Sequence, residues 1–170
     1  IQMKHEKLSQ EQKLKYLKPM AEGSKLGAFA LTESTAGSDA AGIRTRAVRD
    51  GDGVVINGNK IWITNGAKAD VLVVYAKLEA SDKGRGGITA FIIEKDYPGF
   101  EVGSIEKHMG IRGSSTAELV FDDMRVPEEN MLGKEGGGFT VAMKALDRGR
   151  LGLGAGCVGM AQRCLDMSMQ

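Results

Sequence analysis

The sequence predicts a mainly β fold, an antiparallel barrel or sandwich carrying a short helical stub at each end. Three observations predict it. From Gly27 to Val126 turn signals recur about every 8 to 12 residues, among them Asp50-Gly51-Asp52-Gly53, Asn57-Gly58, Asn65-Gly66 and Pro98-Gly99. The runs between them are short and enriched in Val, Ile, Thr and Phe, the residues that suit a pleated surface. No helical pattern alternates with these runs, so a parallel, Rossmann-type sheet fits poorly and an antiparallel architecture is preferred.

Taken in order, the chain opens with a Lys-rich segment, Lys4 to Lys18, in which Leu8, Leu14 and Leu17 recur among Glu6, Glu11 and the lysines. This reads as an amphipathic helix, placed at Gln10 to Lys18, with a solvated charged face. Strands are expected at Ala28 to Thr32, Ile43 to Arg49, Gly53 to Ile56, Lys60 to Thr64, Val71 to Lys77, Ile88 to Ile93, Ala117 to Phe121 and Met124 to Val126. Ser81 to Gly87, with Lys83, Gly84, Arg85 and Gly86, reads as a mobile hairpin tip, whose Lys83 and Arg85 could add a weak phosphate contact but suit a solvated loop better. After Pro127 the pattern changes: beyond Gly136 to Gly138, residues Phe139, Ala142, Met143, Leu146, Gly149 and Arg150 fall at helical spacing and start a long helix. Glycines at 149, 152, 154, 156 and 159 each lower helix propensity by about 1 kcal/mol relative to Ala. Close packing against a helix outside this chain is the expected compensation.

Composition excludes several function classes. The 170 residues, 42% hydrophobic and 26% charged, suffice for one core, and 23 Lys and Arg nearly balance 22 Asp and Glu. Such a balance gives no field to hold nucleic acid or an anionic membrane. No run approaches the roughly 20 apolar residues of a membrane span, and the first residues are too polar for a signal peptide. Cys157 and Cys164 lie seven residues apart in one helix, a rise of about 10 Å, so they are expected to be reduced packing residues rather than a bridge. His5 and His108 have no second ligand at metal spacing, so no metal is expected.

The segment Ala30-Leu31-Thr32-Glu33-Ser34-Thr35-Ala36-Gly37-Ser38-Asp39-Ala40-Ala41-Gly42 ends an apolar strand in hydroxyls and then breaks into a small-residue loop. Backbone N–H groups of Ala36 to Ser38 could approach a phosphate there without side-chain obstruction, although turns rich in Gly, Ser and Asp also arise from backbone geometry alone. Trp62-Ile63-Thr64 follows about two strands later. By itself Trp62, the one Trp of the chain, reads more readily as a strand residue of the core, and Thr32 and Thr64 as ordinary β-formers. Glu33 and Asp39 are carboxylates that could suggest catalysis, but turn and capping roles suit them better.

These blocks do not stand alone. Leu-Thr-Glu-x-x-x-Gly-Ser-Asp is followed by Asn57 to Gly66, then by Met109-Gly110-Ile111-Arg112-Gly113-Ser114, then by Phe121-Asp122-Asp123-Met124-Arg125-Val126-Pro127. In order and spacing the whole set resembles the acyl-CoA dehydrogenase family, most nearly its short-chain, butyryl-CoA members, over essentially the full chain. The resemblance implies the middle β domain at 27–132, serving as flavin and acyl-CoA platform. It also implies the end of an N-terminal helical domain at 1–26 and the truncated start of a C-terminal one at 133–170, so the chain is expected to be a fragment.

The resemblance further implies FAD as cofactor, α,β-dehydrogenation of an acyl-CoA to the trans-2-enoyl-CoA with hydride transfer to flavin N5, electron-transferring flavoprotein as partner, and a homotetramer. The setting would be fatty acid β-oxidation, in the cytoplasm of a bacterium or the mitochondrial matrix of a eukaryote. On the same ground Phe29, Leu31, Thr32, Gly37, Ser38, Trp62, Ile63 and Thr64 would line the flavin. Ser38, Asp147 and Arg150 would meet the acyl-CoA, although Asp147 and Arg150 also suit an ordinary i to i+3 helix pair. The catalytic base is absent from this implied set. Where some branches carry a Glu between that Asp and Arg, this chain has Gly149, and in short- and medium-chain branches the Glu would follow Gln170. No catalytic residue is therefore assigned, and the chain alone is expected to be inactive. A non-catalytic flavin-binding or docking module and an oxidase relative are the alternatives.

Overall fold

The computed structural model describes residues 8–80 and 87–170. The expected hairpin tip, including Lys83 and Arg85, lies outside the described residues except for Gly87. His5 also lies outside them. The described residues divide into two compact units, one reaching to Phe139 and the other running from Thr140 to Gln170.

The first unit opens with a continuous helical stretch: α1 (Gln10–Gln12), a wider π-type turn (Lys13–Leu17) and α2 (Lys18–Ala21). Ser9 starts it through a capping box, its hydroxyl accepting from the Gln12 N–H while the Gln12 side chain accepts from the Ser9 N–H. The stretch is anchored by polar contacts: the Gln12 amide donates to the Glu129 carbonyl at 2.7 Å and the buried Tyr16 hydroxyl donates to Glu94 at 2.9 Å.

The β structure is one mixed sheet. Its strands are β1 (Gly27–Ala30), β2 (Arg46–Asp50), β3 (Gly53–Thr64), β4 (Val71–Leu78), β5 (Gly87–Glu94), β6 (Phe100–Ile105), β7 (Thr116–Pro127) and β8 (Met131–Leu132). They run in the order β6-β7-β3-β2-β4-β5-β8, with β1 branching from β4. The mainly β expectation holds, with two parallel pairings, β1 with β4 and β2 with β4, among otherwise antiparallel neighbours. Those two pairings position the site. β1 matches Val71 to Val74 and β2 matches Lys77 and Leu78, so the intervening 31–45 segment leaves the sheet where β4 exchanges one partner for the next.

Two pairs of expected strands are single strands. Asn57-Gly58 is not a turn: β3 passes through it with a bulge, and the Asn57 side chain bonds reciprocally with Asp123, Nδ2 to Oδ1 at 2.9 Å and Asp123 N to Asn57 Oδ1 at 2.8 Å. That reciprocal bond holds the matching irregularity at Asp123, whose φ is 45°, so β7 also continues across it. β6 was not expected, because Glu101, Gly103 and Ser104 leave it without the apolar alternation that marks a half-buried strand, and it is largely exposed. The core gathers Ile56, Leu72, Val74, Phe91, Ile93, Leu119, Phe121 and Met124, drawn mainly from β3, β4, β5 and β7.

Gly99, at φ 85°, enters β6 so close to β7 that a Cβ would meet the Asp122 carbonyl oxygen and lie 2.9 Å from Met124 Cα. Gly99→Ala should therefore cost about 2 kcal/mol or more, combining left-handed strain with a clash against backbone. Urea unfolding checks this, and an unchanged midpoint would refute it.

The second unit is the body of α3 (Gly138–Ser168). Leu151, Leu153, Val158, Met160, Leu165 and Met167 are exposed along it. Cys157 and Cys164 are free, as expected, but they are exposed rather than packed, because the helix residues around them are exposed as well.

Candidate functional site

The 31–45 segment and the end of β3 come together through the Ile61 N–H, which donates to the Thr32 carbonyl at 3.0 Å. Leu31 and Ala36 are buried, Thr32 is half-buried, and Gly37, Ser38 and Asp39 are exposed. Glu33 and Ala36 exchange backbone hydrogen bonds of 3.2 and 3.1 Å, closing a tight turn that directs Gly37 and Ser38 outward. Their amides have no partner among the described residues, and nothing stands within 4 Å of where a Gly37 Cβ would be. This is an open pair of donors of the kind an anionic oxygen accepts from.

Beside this segment β3 carries a bulge. Lys60 pairs with Leu119 and Ile63 with Ala117, so β3 spends one extra residue between them. Simple alternation would put Lys60 and Trp62 on one face and Ile63 on the other. The extra residue instead turns both Lys60 and Ile63 inward and leaves Trp62 63% exposed, with φ at 56°. A bulky residue in the left-handed region is an outlier, and such strain concentrates where geometry serves function. Of the two readings of Trp62, the core reading is therefore excluded.

The expected flavin residues divide accordingly. Thr32, Gly37, Ser38, Trp62 and Thr64 offer exposed or half-exposed groups. Leu31 and Ile63 are buried, Ile63 within the core, so they present backbone rather than side chain. Phe29 is half-buried and packs edge-on against Tyr75 with ring centroids 5.1 Å apart. Ser38 belongs to the first unit, whereas Asp147 and Arg150 form their own ion pair on α3 in the second, Nη1 to Oδ1 at 3.0 Å.

Glu33 orders the loop, as expected, through a buried cluster that also contains two residues not foreseen, Lys60 and Thr45. The Glu33 carboxylate accepts from Lys60 Nζ at 2.7 Å, Thr45 Oγ1 at 2.6 Å, Thr45 N at 3.1 Å and Arg44 N at 2.6 Å. Burial alone would raise its pKa, but the Lys60 ammonium and the Thr45 and Arg44 donors outweigh that and hold it below the ordinary carboxylate range. Lys60 is fully buried, and that burial pushes its pKa down to about 8, against the pull of Glu33. The ion pair with Glu33 favours its charged form. The available signal was a lysine at an inward β3 position, which requires a buried acceptor. Asp39 differs from Glu33: it precedes the Ala40–Gly42 turn but makes no side-chain capping bond.

Several carboxylates share the lowered state. Besides Glu33, the pKa values of Asp70 and Glu94 fall through bonds to Lys95 and Lys15, and that of Glu118 through bonds to Asn59 and Ser104. A folded pKa below the unfolded one means stability that is complete above the unfolded value and lost as pH falls through the folded value. The melting temperature should therefore hold from pH 7 to about 5 and decline below about 4.5, with Glu33→Gln flattening that decline. Thermal scans at stepped pH check this, and equal slopes for both proteins would refute the assignment to Glu33.

No group of three or more candidate metal ligands occurs among the described residues, and no helix of those residues is long and apolar enough to cross a membrane. Comparison with known proteins matches residues 28–124 to the family model "Acyl-CoA dehydrogenase, middle domain" and residues 136–170 to "Acyl-CoA dehydrogenase, C-terminal domain". A short-chain specific acyl-CoA dehydrogenase of Clostridium acetobutylicum is 55% identical over 154 residues, which cover 91% of this chain and 40% of that one. Among solved structures, butyryl-CoA dehydrogenase from Megasphaera elsdenii aligns with a TM-score of 0.79 at 53% identity, covering 85% of this chain and 38% of that one. An acyl-CoA dehydrogenase complexed with FAD, from Bacillus anthracis, aligns at 0.84 and 49% identity, covering 91% and 27%. The chain spans about two fifths of the length of the curated relatives it matches. With more than half its residues inside one family model and 55% identity to such a relative over 154 residues, this chain belongs to the acyl-CoA dehydrogenase family.

Proposed function

We propose that this chain supplies the flavin platform of an FAD-dependent acyl-CoA dehydrogenase acting on short acyl chains, with 27–132 as the β domain, 1–26 as the end of an N-terminal helical domain and 133–170 as the start of a C-terminal one. The observation that carries the proposal is the strained, solvent-facing Trp62 joined through Ile61 to a loop with two open amides. The donor set fits a flavin dinucleotide. An exposed indole matches a flat aromatic ring, the Thr32 and Thr64 hydroxyls match its polar edge, and the Gly37 and Ser38 amides match a pyrophosphate oxygen.

When bound, FAD supplies the acceptor for the hydride that leaves the β-carbon of the acyl-CoA. Trp62 would cover one face of the ring and keep water from it. Thr64 would hold a hydrogen bond at the ring edge, and Leu31 and Ile63 would present backbone groups beside it. Ser38 would meet the CoA portion from the β domain, and the family resemblance implies a contact with the acyl-CoA for Asp147 and Arg150 of α3. The proton on the α-carbon requires a carboxylate base, which the family resemblance puts on a helix after Gln170. Electron-transferring flavoprotein as the oxidant of the reduced enzyme, a homotetrameric assembly, and a bacterial cytoplasmic or mitochondrial matrix setting complete the proposal.

Flavin fluorescence on titrating FAD with the chain tests it. Saturable quenching that weakens at least tenfold in Trp62→Ala is expected, since removing a stacked ring forfeits on the order of 1.4 kcal/mol. Quenching that is absent, or indifferent to Trp62, would overturn the platform reading.

A further inference from the structure

The Glu33–Lys60 pair is costly to bury, and its bonds all lead to the two halves of the candidate site. Lys60 Nζ donates to the Leu31 carbonyl at 3.0 Å and to Glu33 Oε1 at 2.7 Å, so one ammonium ties β3, two residues before Trp62, to the residues on both sides of Thr32. Glu33 then ties the start of the loop to its end. Its Oε2 takes the Arg44 N–H, while its Oε1 takes the Thr45 N–H and hydroxyl. The Thr45 carbonyl in turn accepts from Lys77 N at 2.7 Å, fixing that end on β4. The approach is close enough that a Cβ on Gly58 would lie 2.8 Å from Thr45 Cα. Apolar residues could fill the same volume without desolvating two charges, so a pair kept there is better explained by geometry than by stability.

We propose that Glu33 and Lys60 are positioning residues of the flavin site, a buried clasp that sets the spacing between the open amides of Gly37 and Ser38 and the indole of Trp62. The proposal rests on the flavin reading above for the identity of the ligand. It is separable from that reading, because the clasp also governs the loop in the absence of any ligand.

Neutral replacement of both partners tests it. Glu33→Gln/Lys60→Met leaves no unpaired charge, which preserves the fold, but a carboxamide has one acceptor oxygen where Arg44 and Thr45 use two. Two measurements on the full chain distinguish the outcomes. The first is amide hydrogen exchange without flavin: the Arg44 and Thr45 amides are expected to exchange at least tenfold faster in the double variant, while the β4–β5 ladder and the thermal midpoint stay near wild type. The second is the FAD titration: the double variant is expected to bind at least tenfold more weakly and to quench to a smaller extent at saturation. A purely structural pair would move the thermal midpoint and global exchange together and leave the saturating quench unchanged. Wild-type exchange rates at Arg44 and Thr45 in the double variant would overturn the clasp whether or not FAD binds. Faster exchange there with wild-type FAD affinity and quench would overturn its role in the flavin site. Absence of FAD binding by the wild-type chain would overturn the platform reading and, with it, the assignment of the clasp to flavin. If the double variant melts far below wild type, Lys60→Arg supplies the second test: it keeps the charge, and it should restore the slow Arg44 and Thr45 exchange.

Discussion

Lys60→Met should lower the stability of the chain by about 3–5 kcal/mol, the largest effect expected of any single side-chain substitution here. The methionine fills the space of the lysine stem, so little of the loss comes from packing. What remains is the Glu33 carboxylate, 6% exposed, with its backbone and hydroxyl donors but without a counter-charge. An uncompensated buried carboxylate must take up a proton or leave its site, and either course uses a large share of a total stability of about 5–15 kcal/mol. Urea unfolding at pH 7 measures it. The unfolding slope should be unchanged, since the surface exposed on unfolding is the same. Adding Glu33→Gln should return most of the loss, and a single-variant cost below about 1 kcal/mol would mean that the carboxylate finds water despite its burial.

Trp62→Gly should separate stability from binding. Trp62 pays for a left-handed backbone, on the order of 1–2 kcal/mol for a residue with a Cβ, and its exposed ring returns little by burial. Glycine adopts that conformation freely, at the cost of a more flexible unfolded chain of about 0.5–1 kcal/mol. The glycine variant should therefore be about as stable as wild type, and about 1 kcal/mol more stable than Trp62→Ala, which keeps the strain. Both variants should lose FAD affinity by at least tenfold. Thermal unfolding alongside the flavin titration gives both numbers. An alanine variant as stable as the glycine variant would show that the bulge relaxes when the indole is removed, so that the ring and not the strand sets the conformation.

The fold was legible where side-chain chemistry repeats with the period of the structure. β4 and β5 are near-continuous apolar runs and lie where Val71 to Lys77 and Ile88 to Ile93 were expected. Legibility failed where local signals compete with pairing. Asn57-Gly58 has the composition of a turn, yet the Asn57 side chain bonds to Asp123 on the neighbouring strand and the chain runs on. β6 carries too little apolar alternation to be read alone, and β8, only Met131–Leu132, is too short.

The candidate site divides in the same way. Its residue types, hydroxyls and small residues after an apolar strand and an indole two strands on, are set by the sequence, and so is membership of the family, because both depend on identity and order along the chain. Only the tertiary structure decided that Trp62 faces solvent while Ile63 enters the core, since one extra residue in β3 reverses which side each neighbour takes. It also decided that Glu33 finds Lys60 27 positions away and Thr45 12 away. Those partners are chosen by where β4 exchanges β1 for β2, a long-range pairing that leaves no local mark, and a buried charge declares its partner only when the chain has folded around it.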